Sequence, residues 1–571
     1  MAKWLFGAEA DKIQETLFRA SRQRQVVGGS SLLYEFEKTA SEIAKTEFGL
    51  SKDDLLVTAG GNFRMVFRNE QDAVKFGERL QDVYYHLLNA HITVAKPIQY
   101  ADSEFKAKSK ELAREIRRLK GAERGHISSP HSPTTAYCQS SGVGLATTFQ
   151  ERTFAEPNRK EYFSDFARTM ELVGRQSNTL FLERVNSLRD LEWVWAQEAD
   201  EIAKFDGERR NLAYLLADVN RMGKLFQECD EAQTRKISDA LQDALFIATA
   251  KVMELLAAKL PKLKVERRAQ SNQDKEKEVK EKDDEEKEKF VKPALPLILA
   301  GDDAFIMLPA LYALDSAQQF CLEFERVFNT KLQAIFGERA NELLEEKILP
   351  ASISAALVIC KGHYPYTLVY RCGHALLEGT KQISKAVAAE KNERVHSALA
   401  VHAIVGSEIV REQDSAKKFV ASLSPYWLGE PKQLTPGQQE AGIALQTLLG
   451  QRLKFKDLPN KRRAEARALF APSELPNDSR NVSAWKSKLE DLRKRIIATA
   501  RDADAQDVKD FDAAFEQLGD PGGKANGYWR EVKRSEHRDS KYHAHGLPDL
   551  IELWNYAQDL DCNLAEYQEG A

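Results

Sequence analysis

Apolar and polar positions near the N-terminus follow the pattern of a small sheet with helices between its strands. The run "KWLFGAE" (3–9) predicts a strand, and "DLLVTAGGNFRMVFRN" (54–69) predicts two strands joined by a glycine turn. Helical sequence separates these segments, and another helix leads to "HITVAKPIQ" (91–99), a fourth strand. The order β-α-β-β-α-β is that of a ferredoxin-like domain.

The same order recurs further along the chain. The apolar run "RNLAYLLADVN" (210–220) predicts a strand that ends near Asp218, and helical sequence follows it. A hairpin, "PLILAGDDAFIML" (296–308), comes next, then a helix, the strand "SISAALVICK" (352–361) and a further helix. Each unit has a glycine-containing hairpin between its central strands, which indicates a weak internal duplication.

Helical patterns dominate after about residue 396. The fold class predicted is therefore α+β, with two ferredoxin-like domains (βαββαβ) and a helical C-terminal domain. The first domain has a loop-rich end, a helical connector follows it, and the second domain carries a charged insertion at 266–291. The predicted divisions are residues 1–165, 166–205, 206–395 and 396–571.

Composition narrows the classes of protein that remain. A chain of 571 residues is too long to form a single ordinary hydrophobic core. Its 43% apolar and 30% charged residues are typical of globular chains. A net charge of -4 does not by itself indicate binding to nucleic acid or to a membrane surface. No apolar stretch is long enough to span a bilayer. The N-terminus lacks the order of a signal peptide, and the six cysteines are scattered without a CxxC pair. We therefore expect a cytoplasmic protein without membrane contact, disulfide framework or cysteine-rich zinc site.

Two adjacent aspartates, Asp302 and Asp303, stand between apolar runs at the turn of the second hairpin. Their carboxylates repel each other, and burying either one is costly unless a cation compensates. An ordinary hairpin turn also favours Gly-Asp-Asp. From this stretch alone, the turn and the cation site are equally good interpretations.

The predicted topology adds a third carboxylate. In this fold the first strand and the central hairpin are neighbours, so Asp218 is expected to meet Asp302 and Asp303. Three carboxylates suit Mg²⁺ or Mn²⁺, and two such ions can activate an attacking hydroxyl and stabilise a leaving pyrophosphate. Gly301 leaves room at the turn for a triphosphate. Taken alone, Asp218 is equally well explained as the polar end of a strand.

Further residues are candidates for nucleotide binding. The turn after Asp218 contains Asn220, Gly223 and Lys224, and its backbone N–H groups are candidates to hold phosphate. Lys381, on the helix after the last strand, offers a positive charge to the same triphosphate. By itself, Lys381 is more simply a solvated helix residue.

These segments together resemble the large, polymerase-like subunit of type III CRISPR effector complexes, a Cmr-like family with two palm domains and a GGDD motif. The similarity covers roughly residues 1–395. It is carried by "FRASRQRQVVGGSSLLYEFEKTA" (18–40), "AGGNFRMVFRN" (59–69), "ADVNRMGKLF" (217–226), "AGDDAFIMLP" (300–309) and "ISAALVICKGHYPY" (353–366).

The resemblance implies a function. In that family the second palm polymerises ATP into cyclic oligoadenylate messengers when the complex binds foreign transcript, and aspartates hold two Mg²⁺ or Mn²⁺ ions. By resemblance those aspartates are Asp218, Asp302 and Asp303. The implied partners are ATP and other subunits of a guide-RNA complex, with target RNA contacted indirectly.

The sequence departs from the family at several points. Ala300 stands where the family has the first glycine of GGDD, which leaves most of the space at the nucleotide site. The chain has no His-Asp dipeptide, so we expect the family's HD nuclease to be absent, and Cys138 stands alone where the family commonly has a zinc site. The first palm has Gly60 and Gly61 without an acidic pair, so we expect it to be non-catalytic and to shape the other half of an ATP pocket.

Two other functions remain open. One is a catalytically silent scaffold whose palms hold a complex together, and the other is a stand-alone nucleotide cyclase. The C-terminal block also offers an amphipathic helix, 481–501, whose apolar face fits either internal packing or a partner subunit.

Overall fold

The protein is described by a computed structural model. The residues that it describes are 3–11, 13, 17, 22–121, 135–142, 144–152, 159–176, 179–188, 192–265, 288–404, 422–452, 460–469, 479–499, 513–519, 530–533 and 541–557. Most of the predicted charged insertion, 266–291, lies outside these residues, as does half of the loop-rich segment at 125–144.

The first unit is an antiparallel sheet with helices on both faces. Its strand order is β2-β3-β1-β4, and β5 also pairs with β1. The strands are β1 (Lys3–Ala10), β2 (Leu55–Ala59), β3 (Asn62–Phe67), β4 (Ile92–Val94) and β5 (Ile98–Tyr100). The helices are α1 (Gln23–Thr46), α2 (Glu70–Leu88) and α3 (Phe105–Gly121). The predicted fourth strand is thus present as two short strands.

Alternation along β1 separates two cores. Phe6 packs with Phe36 and Phe76 of α1 and α2, whereas Leu5 packs with Leu112 of α3 on the opposite face. Successive side chains of a strand point to opposite faces, so β1 is buried from both sides. Helix α3 therefore covers the face opposite α1 and α2.

The second unit repeats this plan on a larger sheet. Its strand order is β11-β12-β9-β13-β14-β15, antiparallel except for the β13–β14 pair. The strands are β9 (Asn211–Val219), β11 (Leu295–Ala300), β12 (Asp303–Pro309), β13 (Ile353–Lys361), β14 (Ala398–Ala403) and β15 (Tyr426–Trp427). The helices are α7 (Met222–Gln227), α8 (Glu231–Lys259), α9 (Ala313–Phe336), α10 (Arg339–Glu345) and α11 (Tyr366–Glu390). Helices α8 and α9 pack against each other, and α11 packs on β9, β13 and β14.

The two units pack against each other reciprocally. Helix α1 of the first unit contacts β11, and helix α8 of the second contacts β2. The Ser30 hydroxyl of α1 donates a hydrogen bond to the Leu297 carbonyl of β11. At one end of this interface the two hairpin turns meet, because a Cβ built on Gly60 would lie 2.6 Å from the Gly301 nitrogen.

The Gly-Gly-Ser-Ser run at 28–31 lies inside α1, which begins at Gln23. Gly28 faces Gly174 at a close helix crossing, where a Cβ on Gly28 would come 1.9 Å from the Met170 carbonyl oxygen. The run therefore serves helix packing.

Short elements link the units. They are β6 (Thr148–Arg152), β7 (Arg159–Phe163), α4 (Asp165–Gly174), α5 (Leu180–Val185), β8 (Trp193–Val194), α6 (Ala199–Ala203) and β10 (Phe290–Val291). Strands β6 and β7 form a hairpin, and β8 pairs in parallel with β10. Much of the predicted connector, 166–205, is thus helical, as expected.

The second sheet continues past the expected domain boundary. Strand β14 pairs with β13, so a division at residue 395 separates two neighbouring strands of one sheet. The elements beyond it are α12 (Pro436–Ala441), α13 (Leu445–Gly450), α14 (Asn460–Leu469), α15 (Ser479–Thr499), β16 (Arg530–Lys533), β17 (Lys541–Ala544) and α16 (Gly546–Leu553). The C-terminal block is mostly helical, but it shares a core with the second unit.

The amphipathic helix α15 is part of that core. Trp485, Leu489 and Leu492 are buried, and the Trp485 indole donates a hydrogen bond to the Leu469 carbonyl oxygen at 3.0 Å. Its apolar face therefore packs on the chain itself, the simpler of the two interpretations. Within the described part of the chain, every helix is too short or too polar to cross a membrane.

Candidate active site

The second hairpin brings two of the three predicted aspartates together. Strand β12 lies antiparallel to β9 in a register that pairs Asp303 with Asp218. A hydrogen bond joins the two carboxyl groups. The sequence pattern predicted this contact, because the first strand and the hairpin are neighbours in the fold.

Asp302 lies in the turn itself. Ala300 pairs with Asp303, which leaves Gly301 and Asp302 as a two-residue loop. Gly301 has a φ of +62°, as the first central residue of a type II′ turn requires, so glycine is needed here. The Asp302 carbonyl accepts a hydrogen bond from the Val219 N–H at 3.3 Å, which ties the turn to the end of β9.

The three carboxyl groups are electrostatically strained. Burial, and then the Asp218 carboxylate, raise the pKa of Asp302 to about 6. Burial and the two neighbouring aspartates raise the pKa of Asp303 well above its usual value, which favours its protonated form. The site favours added positive charge.

Lys381 supplies part of that charge. Its Nζ lies 3.0 Å from Asp218 Oδ1 and 3.0 Å from Glu378 Oε1. Burial lowers the pKa of Lys381, but the Asp218 and Glu378 carboxylates together outweigh burial and the pKa is raised. Burial raises the pKa of Asp218, and the Lys381 ammonium offsets part of that rise. Lys381 is therefore a site residue, with 15% of its side chain exposed.

The argument for a metal ion at this site comes from the chemistry of the aspartate side chains. Across the described residues, no three or more His, Cys, Asp or Glu side chains are grouped so that they could hold a metal ion. Asp218 and Asp303 are in contact, and Asp302 acts on them electrostatically from the turn. Carboxylate oxygens and surplus negative charge nevertheless suit Mg²⁺ or Mn²⁺.

A small pocket adjoins the carboxylates on the face covered by α11. Aromatic rings form one side of it, since Phe305 lies 5.7 Å from Tyr370 and Tyr370 lies 6.0 Å from His374, between ring centroids. Its lining is Leu216, Ala217, Ile298, Asp303, Ala304, Phe305, Tyr370, His374, Leu377, Glu378 and Lys381. The pocket thus combines an apolar, partly aromatic wall with the charged pair Asp303 and Lys381.

The turn after β9 and the helix that follows it contain three of the residues predicted to bind nucleotide. Asn220 is buried, and its amide bonds the hydroxyls of Ser352 and Ser354, each at 3.0 Å. Asn220 therefore ties β9 to β13. Gly223 and Lys224 are exposed on the short helix α7, and a Cβ on Gly223 would meet no other atom within 4 Å.

The turn of the first unit also reaches the site. Gly60 and Gly61 have φ of +62° and +68°, and Gly60 abuts Gly301. The two glycine turns are therefore adjacent in the structure.

The first unit carries a counterpart of the pair Asp218 and Lys381 that the sequence did not reveal. Glu9 pairs with Asn62 across β1 and β3, as Asp218 pairs with Asp303. Lys120 of α3 lies 2.5 Å from Glu9, and Glu9 contributes to the raised pKa of Asp302. Aligning the two hairpins on their glycine turns matches Asn62 with Asp303, but the register of β1, which brings Glu9 to the position of Asp218, comes from the structure.

Comparison with known families confirms the resemblance inferred from the sequence. Residues 211–392 match the model of the second palm domain of Cas10/Cmr2. The second unit is thus similar to the Cas10/Cmr2 second palm, and the predicted α+β fold class is confirmed. No curated protein matches the chain.

Several solved structures are similar to the chain at low identity. Csm1 from T. onnurineus is 12% identical, with a TM-score of 0.45 over 98% of this chain and 70% of that one. A Csm1-Csm4 cassette in complex with pppApA is 14% identical, with a TM-score of 0.44 over 96% and 69%. A Csm1-Csm4 subcomplex of the type III-A CRISPR-Csm interference complex is 14% identical, with a TM-score of 0.41 over 84% and 64%.

Proposed function

We propose that this chain is the polymerase-like subunit of a type III CRISPR effector complex and that its second palm converts ATP into cyclic oligoadenylates. The observation that carries the proposal is the register that pairs Asp303 with Asp218, in the unit that matches the Cas10/Cmr2 palm. The proposed partners are ATP and the other subunits of a complex that carries guide RNA, with target RNA acting indirectly.

The reaction forms one phosphodiester bond at each step. A ribose hydroxyl oxygen attacks the α-phosphorus of a second ATP, the bond to pyrophosphate breaks, and the hydroxyl proton is lost. Asp218, Asp302 and Asp303 would hold Mg²⁺ or Mn²⁺, which when bound supply stabilisation for the attacking oxygen and the leaving pyrophosphate. Added positive charge favours ionisation of Asp303, because burial and then the neighbouring carboxylates raise its pKa.

Other residues of the chain would bind and orient the nucleotides. Lys381 lies beside Asp218, which supports the proposal that its ammonium group contacts a triphosphate. Gly301 and Ala300 leave the turn without a bulky side chain. Gly60 and Gly61 bring the first palm to the site, where that palm would shape the second half of the pocket.

A silent scaffold is the second candidate function. It is favoured by the ion pair between Lys381 and Asp218, which already neutralises one carboxylate, and by the absence of a ready three-ligand group among the described residues. A stand-alone cyclase explains neither the first palm nor the C-terminal block.

One experiment separates these functions. The purified chain is incubated with ATP and Mg²⁺ or Mn²⁺, with and without RNA-bound partner subunits, and the products are identified by mass spectrometry. Cyclic oligoadenylates support the proposal, cyclic mononucleotides support the stand-alone cyclase, and unchanged ATP under every condition supports the scaffold. Asp82→Asn, on the exposed side of α2, is the matched control for substitutions at the site. We expect no cleavage of single-stranded DNA, since the sequence contains no His-Asp dipeptide.

A further inference from the structure

A buried glutamate lies behind the turn of the first unit. Glu37 of α1 is 5% exposed, and its Oε1 accepts a hydrogen bond from the Gly61 N–H at 2.8 Å. The Gly60 N–H also lowers the pKa of the Glu37 carboxyl group. The backbone of this turn is therefore held by a single side chain, which fixes the orientation of the turn.

That turn is in direct contact with the turn that carries the aspartates. A Cβ on Gly60 would lie 2.6 Å from the Gly301 nitrogen and 2.7 Å from its Cα, so the two backbones touch. Gly301 is followed at once by Asp302. A shift of the Gly60 turn would therefore release or displace the turn that holds the aspartates.

The helix that carries Glu37 is anchored to both units. Ser30 of α1 bonds the Leu297 carbonyl oxygen of β11, the strand that leads into the second turn. Glu37 also lines a small cavity between the units, together with Ile298 and Ala300. The Glu37 side chain therefore contacts the first turn, and its helix, α1, is hydrogen-bonded to β11, the strand that leads into the second turn.

Holding a carboxyl group at this position is costly for stability. Burial raises the pKa of Glu37 to about 8, and the two turn N–H groups and the distant charge of Arg184 only partly offset this effect. An apolar residue would avoid the desolvation cost but would leave the Gly61 N–H of the turn without its acceptor. The contact with the turn is therefore what Glu37 contributes in return for the cost of its burial.

We infer that Glu37 is a positioning residue for the proposed nucleotidyl transfer, holding the Gly60–Gly61 turn against Gly301 so that the aspartates face the substrate in one fixed geometry. The inference rests on the proposed function for its catalytic consequence. Its structural part, the coupling of the two turns, stands independently of catalysis.

Two substitutions separate positioning from plain packing. Glu37→Gln keeps an oxygen that accepts the Gly61 N–H, whereas Glu37→Leu fills similar volume and accepts nothing. Glu42→Gln is the control, because Glu42 is exposed on the same helix. Each variant is assayed in the full chain with its partner subunits, for kcat and KM with ATP and for amide hydrogen exchange of peptides covering 55–67 and 295–309.

The expected result is a loss of roughly 10- to 100-fold in kcat for Glu37→Leu with KM nearly unchanged, as for displaced reacting groups. Exchange should rise in both hairpins. Glu37→Gln should restore most of kcat and of the protection, and Glu42→Gln should match the wild type. Wild-type turnover in Glu37→Leu, or faster exchange confined to 55–67, would overturn the inference.

A wild-type chain that makes no product would contradict the proposed function and leave exchange as the deciding measurement. Faster exchange in both hairpins of Glu37→Leu would then support the coupling of the turns. Unchanged exchange at 295–309 would overturn it.

Discussion

Asp303 lies directly opposite Asp218 across two antiparallel strands, and a hydrogen bond joins their carboxyl groups. Such a pair is stable only while one member is protonated or a cation is near, since two adjacent carboxylates in a partly buried site repel each other. The same repulsion that strains the folded chain gives the site its affinity for positive charge.

The first prediction concerns the double substitution Asp302→Asn with Asp303→Asn. Product formation should be abolished, because neutral amides cannot replace two anionic ligands. The fold should persist, and the free energy of unfolding without metal should stay level or rise, since repulsion is relieved and an amide at position 303 still donates to Asp218. Mass analysis and thermal melting check both parts, and undiminished turnover would refute the site.

The second prediction concerns Lys381→Met. Removing the ammonium group leaves Asp218 without its cation, so the free energy of unfolding should fall by about 1–3 kcal/mol at neutral pH. The loss should shrink as the pH falls through the raised pKa of Asp218, because a neutral carboxyl group does not need the partner. Denaturant unfolding at several pH values measures this loss of stability. Lys385 is exposed on the same helix, and Lys385→Met should show no dependence of stability loss on pH.

The third prediction concerns Glu37 and pH. Its pKa in the folded chain, about 8, is above the unfolded value of 4.5, so ionisation opposes folding. The penalty is absent below pH 4.5, grows between pH 4.5 and 8, and is constant above pH 8. The stability of Glu37→Gln relative to the wild type should therefore rise across that window, by at most about 5 kcal/mol. A flat difference between pH 4.5 and 9 would show that Glu37 is solvated.

The fourth prediction compares two glycines with nearly the same backbone conformation. Gly60 and Gly49 have φ of +62° and +68°, but a Cβ on Gly60 would collide with Gly301 and a Cβ on Gly49 would meet no other atom within 4 Å. Gly49→Ala should cost about 1 kcal/mol of stability from backbone strain alone. Gly60→Ala should cost more and also lower turnover, and equal effects of the two would argue against contact between the turns.

The fifth prediction concerns truncation after residue 395. The shortened chain loses β14 and the C-terminal helices, and with them the cover of the second unit's core. Exposure of this much apolar surface should give an insoluble or molten product. Solubility and near-ultraviolet circular dichroism test this, and a soluble, cooperatively melting fragment would show that the second unit folds without the block.

The strand order and the hairpins were predictable because period-two alternation and glycine turns are local properties of the sequence. The contact between Asp218 and the hairpin followed from topology. The ion pair between Lys381 and Asp218 could not be predicted, since a helical pattern does not show which residues of the sheet a given turn of the helix will contact. Glu37 was missed because a charged residue in an amphipathic helix is ordinarily solvated.

The end of the second domain was also misplaced. The last strand predicted for the second domain ends at residue 361, so β14 at residues 398–403 was not expected. The stretch after β14 lies outside the described residues. The pattern of α15 correctly indicated a buried face, but a sequence pattern does not identify what covers that face.

The reciprocal packing of the two units protects both from aggregation. Strands β2 and β11 are the outermost strands of their sheets, and each lies beneath a helix of the other unit. An uncovered edge strand offers unpaired N–H and carbonyl groups to any other chain, and apolar sequence such as "LPLILA" makes β11 especially prone to such pairing. Synthesis of the first unit without the second would leave β2 and the apolar side of α1 unshielded, so the duplicated halves depend on each other for solubility as well as for the site between them.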